Sequence, residues 1–519
     1  MRAPVPARRR RRSAGSTDRR RSGANWRWAE GARGAGGGGW NRPPRADLIA
    51  AAVALGLFAT SAVVGATLHL VGRPVHAGAA PLFAHWLPHI GPGTPLAVTV
   101  AVLVCWHGPA LAARLRWRKL LALSYATAVA WTLSLALIDG WQRGIAGRLT
   151  TRYEYLHEVP GVTSIPAMVR GFAGRILDFQ PDSWTTHVAG HPPGALLVFV
   201  WLDRAGLGGG GWAGGLCVLA AALVAVAVPH TVRLLGTGAA ARAAVPFAVL
   251  FPGAVWSGVS ADGLFAGVTA AGIALLAHGV TRRSAGGALA GGMLLAFGCY
   301  LSYGLVLMAP IVAAVGILAG RGRRTAWWAL AGAALVAAGF TAAGFGWPTG
   351  YHLVIERYYQ GLASRRPYGY WVWADLAVLS VAAGPAAAVI MRRATSAGWR
   401  STVDPTGAWW TGRRGHRMGA RAAGRAMTGQ RRDSPRRNTI RSVPGSGHGR
   451  WLLPLAAATA IVAADLSGYS KAEVERIWLP FTGWLMAGAV LIPVADRRTW
   501  LAAQAAVALT VNHLLLTTW

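Results

Sequence analysis

The residues able to do chemistry in this 519-residue chain gather in three short polar stretches. The first, 139–193, contains IDGWQRG, TRYEYLHEVPG and HVAGHPPG, with Asp139, Glu154, Glu158, Asp178, Asp182, His187 and His191. A carboxylate at a membrane–water boundary, beside apolar walls, has its pKa raised towards the range a general base needs. Asp139 and Glu154 fit that description best, against the plainer roles of solvated loop acid or helix-terminal residue. His187 and His191 are four apart, the spacing of two metal ligands on one helical face. Gly190, Pro192 and Pro193 break such a helix, however, and the prolines suit the first turn of a new one. His191 then stands at a helix N-terminus, where backbone N–H groups favour an anion. A phosphate-facing histidine is preferred to a metal ligand.

The second stretch, YHLVIERYYQGLASRRPYGYW, combines Arg357, Arg365 and Arg366 with five tyrosines. Arginine forks onto phosphate, and aromatic rings stack on sugars or mark a bilayer interface. The third, DLSGYSKAEVERIWLPF, holds Asp465, Lys471, Glu473, Glu475 and Arg476, readable as a salt-bridged surface helix or as a phosphate-neutralising pair of Lys471 and Arg476. Asp262, in WSGVSADGLFAG, falls at a turn between two apolar runs, where helix capping competes with a functional role.

What must position these residues is a set of membrane helices. Hydrophobic residues make up 54% of the chain and charged residues 13%, about half the roughly 25% share of a soluble protein. Several apolar runs reach the roughly 20 residues that cross a bilayer. A soluble globular enzyme is excluded, and an all-α polytopic membrane protein of about 13–14 transmembrane helices is expected. The expected spans are 47–71, 94–113 and 119–138, then 243–259, 262–280, 285–301, 303–320, 326–345, 372–391, 451–466, 478–494 and 500–517. Between 194 and 233 the pattern is ambiguous. Gly206 and Gly208–Gly211 interrupt a helix beginning at His191-Pro-Pro-Gly after some 13 residues, so 194–206 is a short or re-entrant helix or the charge rule fails locally.

The net charge of +34 resembles a nucleic-acid binder only until it is located. Residues 1–45 carry +11 and residues 392–450 carry +12, so 23 of the 34 charges lie in two low-complexity segments. They read as a disordered basic cytoplasmic tail and a basic cytoplasmic insert, with no nucleic-acid partner. The transmembrane core is then 46–391, followed by C-terminal helices in 451–519. The 47–71 run is longer than a signal-peptide h-region and reads as an uncleaved first span. Arg and Lys after spans set the orientation: N-terminus cytoplasmic, loops 139–193, 347–371 and 467–477 outside. Cys105, Cys217 and Cys299 lie in apolar runs and read as packing residues.

In this order the features resemble the GT-C class of integral membrane glycosyltransferases, closest to the branch of family 39 protein mannosyltransferases and lipid A aminoarabinose transferases. The resemblance rests on the span ending at Asp139, the long loop after it, His191-Pro192-Pro193-Gly194, and FPGAVWSGVSADGLFAG at 251–267 with Asp262. It covers roughly residues 119–320. Gly140 stands where the family has the second member of an Asp-Glu pair, and two extra spans precede 119–138. The resemblance implies juxtamembrane helices in the long outer loop, a polyprenyl-phosphate sugar donor, and a cell-envelope glycan, lipid or protein as acceptor, with membrane lipids around it. It implies inverting displacement at an extracytoplasmic site on the cell membrane, with Asp139 or Glu154 as the base. His187, His191, Asp262, Arg357, Arg365, Arg366, Lys471, Glu475 and Arg476 are the candidates for substrate binding. No cofactor is certain; some relatives use a divalent metal ion, for which this chain shows no convincing ligand set. The competing class is a transporter or flippase of a lipid-linked or small polar substrate, whose site would lie near the bilayer midplane.

Overall fold

The computed structural model describes residues 42–320, 323–403 and 449–518; the expected tail (all but its last four residues) and most of the expected insert lie outside the described residues. The protein is an all-α polytopic membrane protein. Among the described residues, seven helices are long and apolar enough to cross a bilayer: Arg45–Leu70, Thr94–Arg114, Trp117–Asp139, Gly210–Leu235, Ala261–Arg282, Arg324–Ala342 and Arg450–Ser467. An eighth is reached if Tyr368–Ala382 and Pro385–Ser401 form one broken span, bent by 108°. The break falls at Gly384, whose φ of +81° suits glycine, followed by Pro385, which opens the next helix.

This is fewer than the 13–14 expected, and the reason is length. Apolar runs lie where the sequence puts them, but Gly238–Val249, Ala285–Leu301, Tyr303–Ala319 and Leu479–Leu491 are shorter helical pieces. The run expected at 243–259 stops at Val249, ahead of Phe251-Pro252-Gly253, and resumes as the single turn Ala254–Ser257. The last helix, Arg497–Leu514, buries Gln504 and Asn512, whose side-chain amides donate to the carbonyls of Ala383 and Leu135. Beyond it, Leu515–Thr517 pairs antiparallel with Ala84–Trp86, tying the end of the chain to the loop after the first span.

The ambiguous stretch resolves into a short helix, Pro193–Arg204, of 12 residues, followed by the span Gly210–Leu235. At about 18 Å the first of these is too short to cross a roughly 30 Å core. Its N-terminal flank meets Tyr155 through His191, and Arg204 at its other end donates to the carbonyls of Val162 and Thr163. One stretch of loop thus holds both ends, so this helix lies along the loop and does not cross.

Small residues let the helices approach closely. A Cβ on Gly292 would sit 1.9 Å from the Ala329 carbonyl oxygen, and one on Gly279 would sit 2.4 Å from the Ala288 nitrogen. In a bilayer, where apolar contact alone does not drive helices together, such backbone proximity supplies the packing.

Candidate functional site

The polar stretches meet in space. Arg357 of the second stretch pairs with Asp178 of the first at 2.5 Å. Arg366 joins the third, donating to the Lys471 carbonyl at 2.7 Å and to Glu473 Oε1 at 3.0 Å. Lys471 returns a bond from Nζ to the Arg366 carbonyl. Arg476 then closes the set, donating to Glu473 Oε2 at 2.8 Å and to Asp262 Oδ2 at 2.5 Å.

Local sequence explains how each side chain arrives. Ser260, not Asp262, caps the Ala261–Arg282 helix, its hydroxyl accepting from the Gly263 N–H. Asp262 in the first turn is thereby left for Arg476. A Cβ on Gly263 would lie 2.6 Å from the Ser257 carbonyl oxygen, and one on Gly194 would lie 2.4 Å from that of Tyr300. The glycines of Ala-Asp-Gly and His-Pro-Pro-Gly are both places where backbone meets backbone. Pro193 occupies the first turn of its helix, as the sequence indicates, and leaves His191 just before it.

Glu154 is buried immediately before the short Tyr155–Glu158 helix, with Oε1 3.6 Å from His187 Nε2. Burial pushes its pKa up to about 7; the Arg476 charge opposes the shift and Asp262 adds to it. Burial holds His187 well below its ordinary value, and the Arg476 charge lowers it further. His191 is also held down by burial, against the pull of Asp262. The Nδ1 of His191 lies 2.7 Å from the His187 carbonyl, which can only accept, so Nδ1 carries the proton. The Tyr155 hydroxyl lies 3.0 Å from the same nitrogen. His191 is therefore a neutral ring whose Nε2 bears the lone pair: it offers hydrogen bonding to a ligand, not positive charge.

The acids of the third stretch divide. Burial raises Glu473, but Arg476 and Arg366 outweigh it and hold this carboxyl below the usual range. Glu475, which accepts from the Phe83 N–H at 2.9 Å, is pushed by burial to about 7, and its Oε2 has no hydrogen-bond partner among the described residues. For Arg476 burial pulls downward, yet Asp262, Glu473 and Glu154 together raise its pKa. It stays a cation.

Asp139 belongs to another cluster. Its Oδ1 is 2.8 Å from His89 Nε2, and its Oδ2 accepts from Arg148 Nη2 at 2.6 Å. Arg148 also donates to the Thr517 carbonyl, so this acid anchors the chain's end. Among the described residues it makes no ion pair with the group around Arg476. Arg365 is exposed, with no ion pair among the described residues.

Four residues that were not sequence candidates for the site take part in it. Glu473 bridges two arginines, Tyr155 meets His191, and His89 with Arg148 occupies Asp139. Tyr155 had a signal, as neighbour of Glu154, and Arg148 and Glu473 lie close in sequence to their partners; His89 had none, because it lies 50 positions from Asp139. Among the described residues no group of three or more His, Cys, Asp or Glu is placed to hold a metal ion.

Fold and site together define a multi-pass membrane protein with a buried ionic cluster where its loops converge. No protein-family model, curated protein or solved structure matches this chain.

Proposed function

We propose that the chain is a membrane glycosyltransferase that moves a sugar from a polyprenyl-phosphate donor to an acceptor hydroxyl, by inverting displacement, on the extracytoplasmic side of the cell membrane. The observation that carries the reading is Glu154: a buried carboxyl with a proton affinity near neutrality, beside His187 and within the field of Arg476. A base poised near the working pH is what deprotonation of a sugar or side-chain hydroxyl requires.

In the proposed step the acceptor hydroxyl gives its proton to Glu154 as its oxygen bonds to the anomeric carbon. The bond from that carbon to the phosphate oxygen breaks on the opposite face, and polyprenyl phosphate leaves with the electron pair. The leaving phosphate gains negative charge, which fixed cations stabilise. Arg365 suits that role through its exposure, and Lys471 through its place in the same loop contact. Arg366, Arg357 and Arg476 already hold carboxylates and act by keeping the loops together. Asp262 orients Arg476, and His191 offers its Nε2 lone pair to a substrate hydroxyl. The basic tail, just ahead of the first span, places the N-terminus in the cytoplasm in this reading.

One observation favours the transporter reading. Asp375 and Asp465, on Tyr368–Ala382 and Gly449–Ser467, are buried acids, each with an oxygen lacking a hydrogen-bond partner among the described residues. The deciding experiment supplies the purified full chain with radiolabelled polyprenyl-phosphate mannose or arabinose and a crude cell-envelope acceptor. Transfer of label that disappears in Glu154→Gln supports the enzyme. Passage of intact donor across proteoliposomes, without transfer, would put the transporter in its place.

A further inference from the structure

At the other end of the first helix from this site lies a second polar cluster. The Arg45–Leu70 helix rises about 39 Å over its 26 residues. The loop leaving its C-terminal end reaches Glu475 through Phe83 and Trp371 through Val75. Near its N-terminal end Asp47 is fully buried beneath two guanidinium groups. Arg392 donates from Nε to Asp47 Oδ1 at 2.9 Å, and also from Nη2. Arg393 donates from Nη2 to Oδ2 at 2.5 Å. The expected insert began at residue 392; the structure instead continues the helix from Pro385 to Val403, and this continuation carries the cluster.

Above the ion pairs is a cavity of about 220 Å³, lined by Arg392, Arg393, Ser396, Ala397, Arg400 and Leu491. Positions 392, 396 and 400 recur every four residues and so share one helical face. Arg400 is exposed and has no ion pair among the described residues. Among the described residues, the acids in reach of this group are Asp47 and Asp496, the latter acting electrostatically on Asp47 and Arg393. Three guanidinium groups therefore face two carboxylates, and none of the cavity's lining residues is acidic. Ser396 spends its hydroxyl proton on the Arg392 carbonyl at 2.8 Å, which leaves guanidinium N–H groups as the donors offered to a ligand. At roughly 30 Å³ per water, the space equals about seven waters, more than one phosphate fills.

We infer that Arg392, Arg393 and Arg400 form a binding site for a phosphate-type anion, a lipid phosphodiester headgroup or a free phosphate, at the end of the bundle away from the Glu154 site. Planar guanidinium forks match phosphate oxygens in pairs. Asp47 presets two of the arginines, so only Arg400 must be ordered on binding. A cavity beside the start of a bilayer-length helix stands at headgroup depth, and basic pockets between membrane helices take anionic headgroups there.

The test uses the full chain in a non-ionic detergent. It is titrated with short-chain phosphatidylglycerol, with phosphatidylcholine of the same chain length, and with inorganic phosphate, and thermal unfolding and ligand affinity are read. Phosphatidylglycerol should raise the midpoint where phosphatidylcholine does not. Stabilisation by inorganic phosphate as well identifies a free-phosphate site; its absence identifies a lipid headgroup site. Arg400→Gln, which keeps both ion pairs to Asp47, should weaken binding about fivefold, and Ser396→Leu should block the cavity. Exposed Arg282→Gln should change nothing. The inference is overturned if phosphatidylcholine works equally well, or if a folded Arg400→Gln binds phosphatidylglycerol as tightly as the parent chain.

Discussion

Asp139 and Glu154 look alike in the sequence, two acids fifteen positions apart in one polar loop, yet the fold gives them opposite surroundings. Asp139 is saturated: His89 meets one oxygen and Arg148 the other. Glu154 is equally buried but has no arginine or lysine within ion-pair distance among the described residues, meeting a histidine at 3.6 Å instead, while the nearby arginine is committed to Asp262 and Glu473. A carboxylate held on both oxygens by neighbouring side chains is fixed in place and serves as an anchor. One buried without an ion pair gains proton affinity and becomes able to accept a proton from a substrate. Burial alone thus does not set these two acids apart; the division of cations among them does.

That contrast breaks most sharply under substitution. Glu154→Gln should lower transfer about 10²- to 10⁴-fold, the usual scale of a lost general base, with the unfolding midpoint of the membrane-extracted protein unchanged. Retention of full turnover by the folded variant would falsify its role as the base. Asp139→Ala should do the reverse. Leaving Arg148 buried without its carboxylate should cost about 3–5 kcal/mol of stability, seen as a lower unfolding midpoint, while turnover per folded molecule stays near normal. A large loss of turnover in well-folded Asp139→Ala would move the base to the other cluster.

Gly194→Ala should cost about 1–3 kcal/mol, because its methyl group meets the Tyr300 carbonyl and pushes the His191 end of the helix outward. The loss should appear in thermal unfolding and in transfer together, since His191 moves with it. The mildest perturbation of the protein is a change of pH. Glu154 accepts a proton only when ionised, and its pKa is raised to about 7. The rate should therefore fall about tenfold per unit as pH drops below 7 and reach a plateau above it. A profile flat from pH 5 to 8 would remove Glu154 from the proton transfer.

Much of the fold was legible in the residues. Boundaries read from apolar runs agree within a few residues for Arg45–Leu70, Thr94–Arg114 and Ala285–Leu301, because a long apolar helix is a local and cheap solution to satisfying backbone groups in lipid. The number of spans was less legible. A run at 243–259 looks continuous in hydropathy, yet Pro252 and Gly253 divide it into pieces too short to cross. At the site, the three polar stretches and the His-Pro-Pro-Gly entry into a helix were visible, since spacing and proline chemistry act over a few residues.

The sequence by itself determined an all-α membrane chain, the rough limits of its longest helices, and a small set of acids, histidines and arginines from which any site must be built. Only the tertiary structure decided which of those acids keeps a free hand. Asp262 and Arg476 are 214 positions apart, and Arg366 and Glu473 are 107 apart. Coulombic and hydrogen-bond pairing depends on distances of a few ångströms in space, which hydropathy, capping and turn chemistry do not encode across such separations.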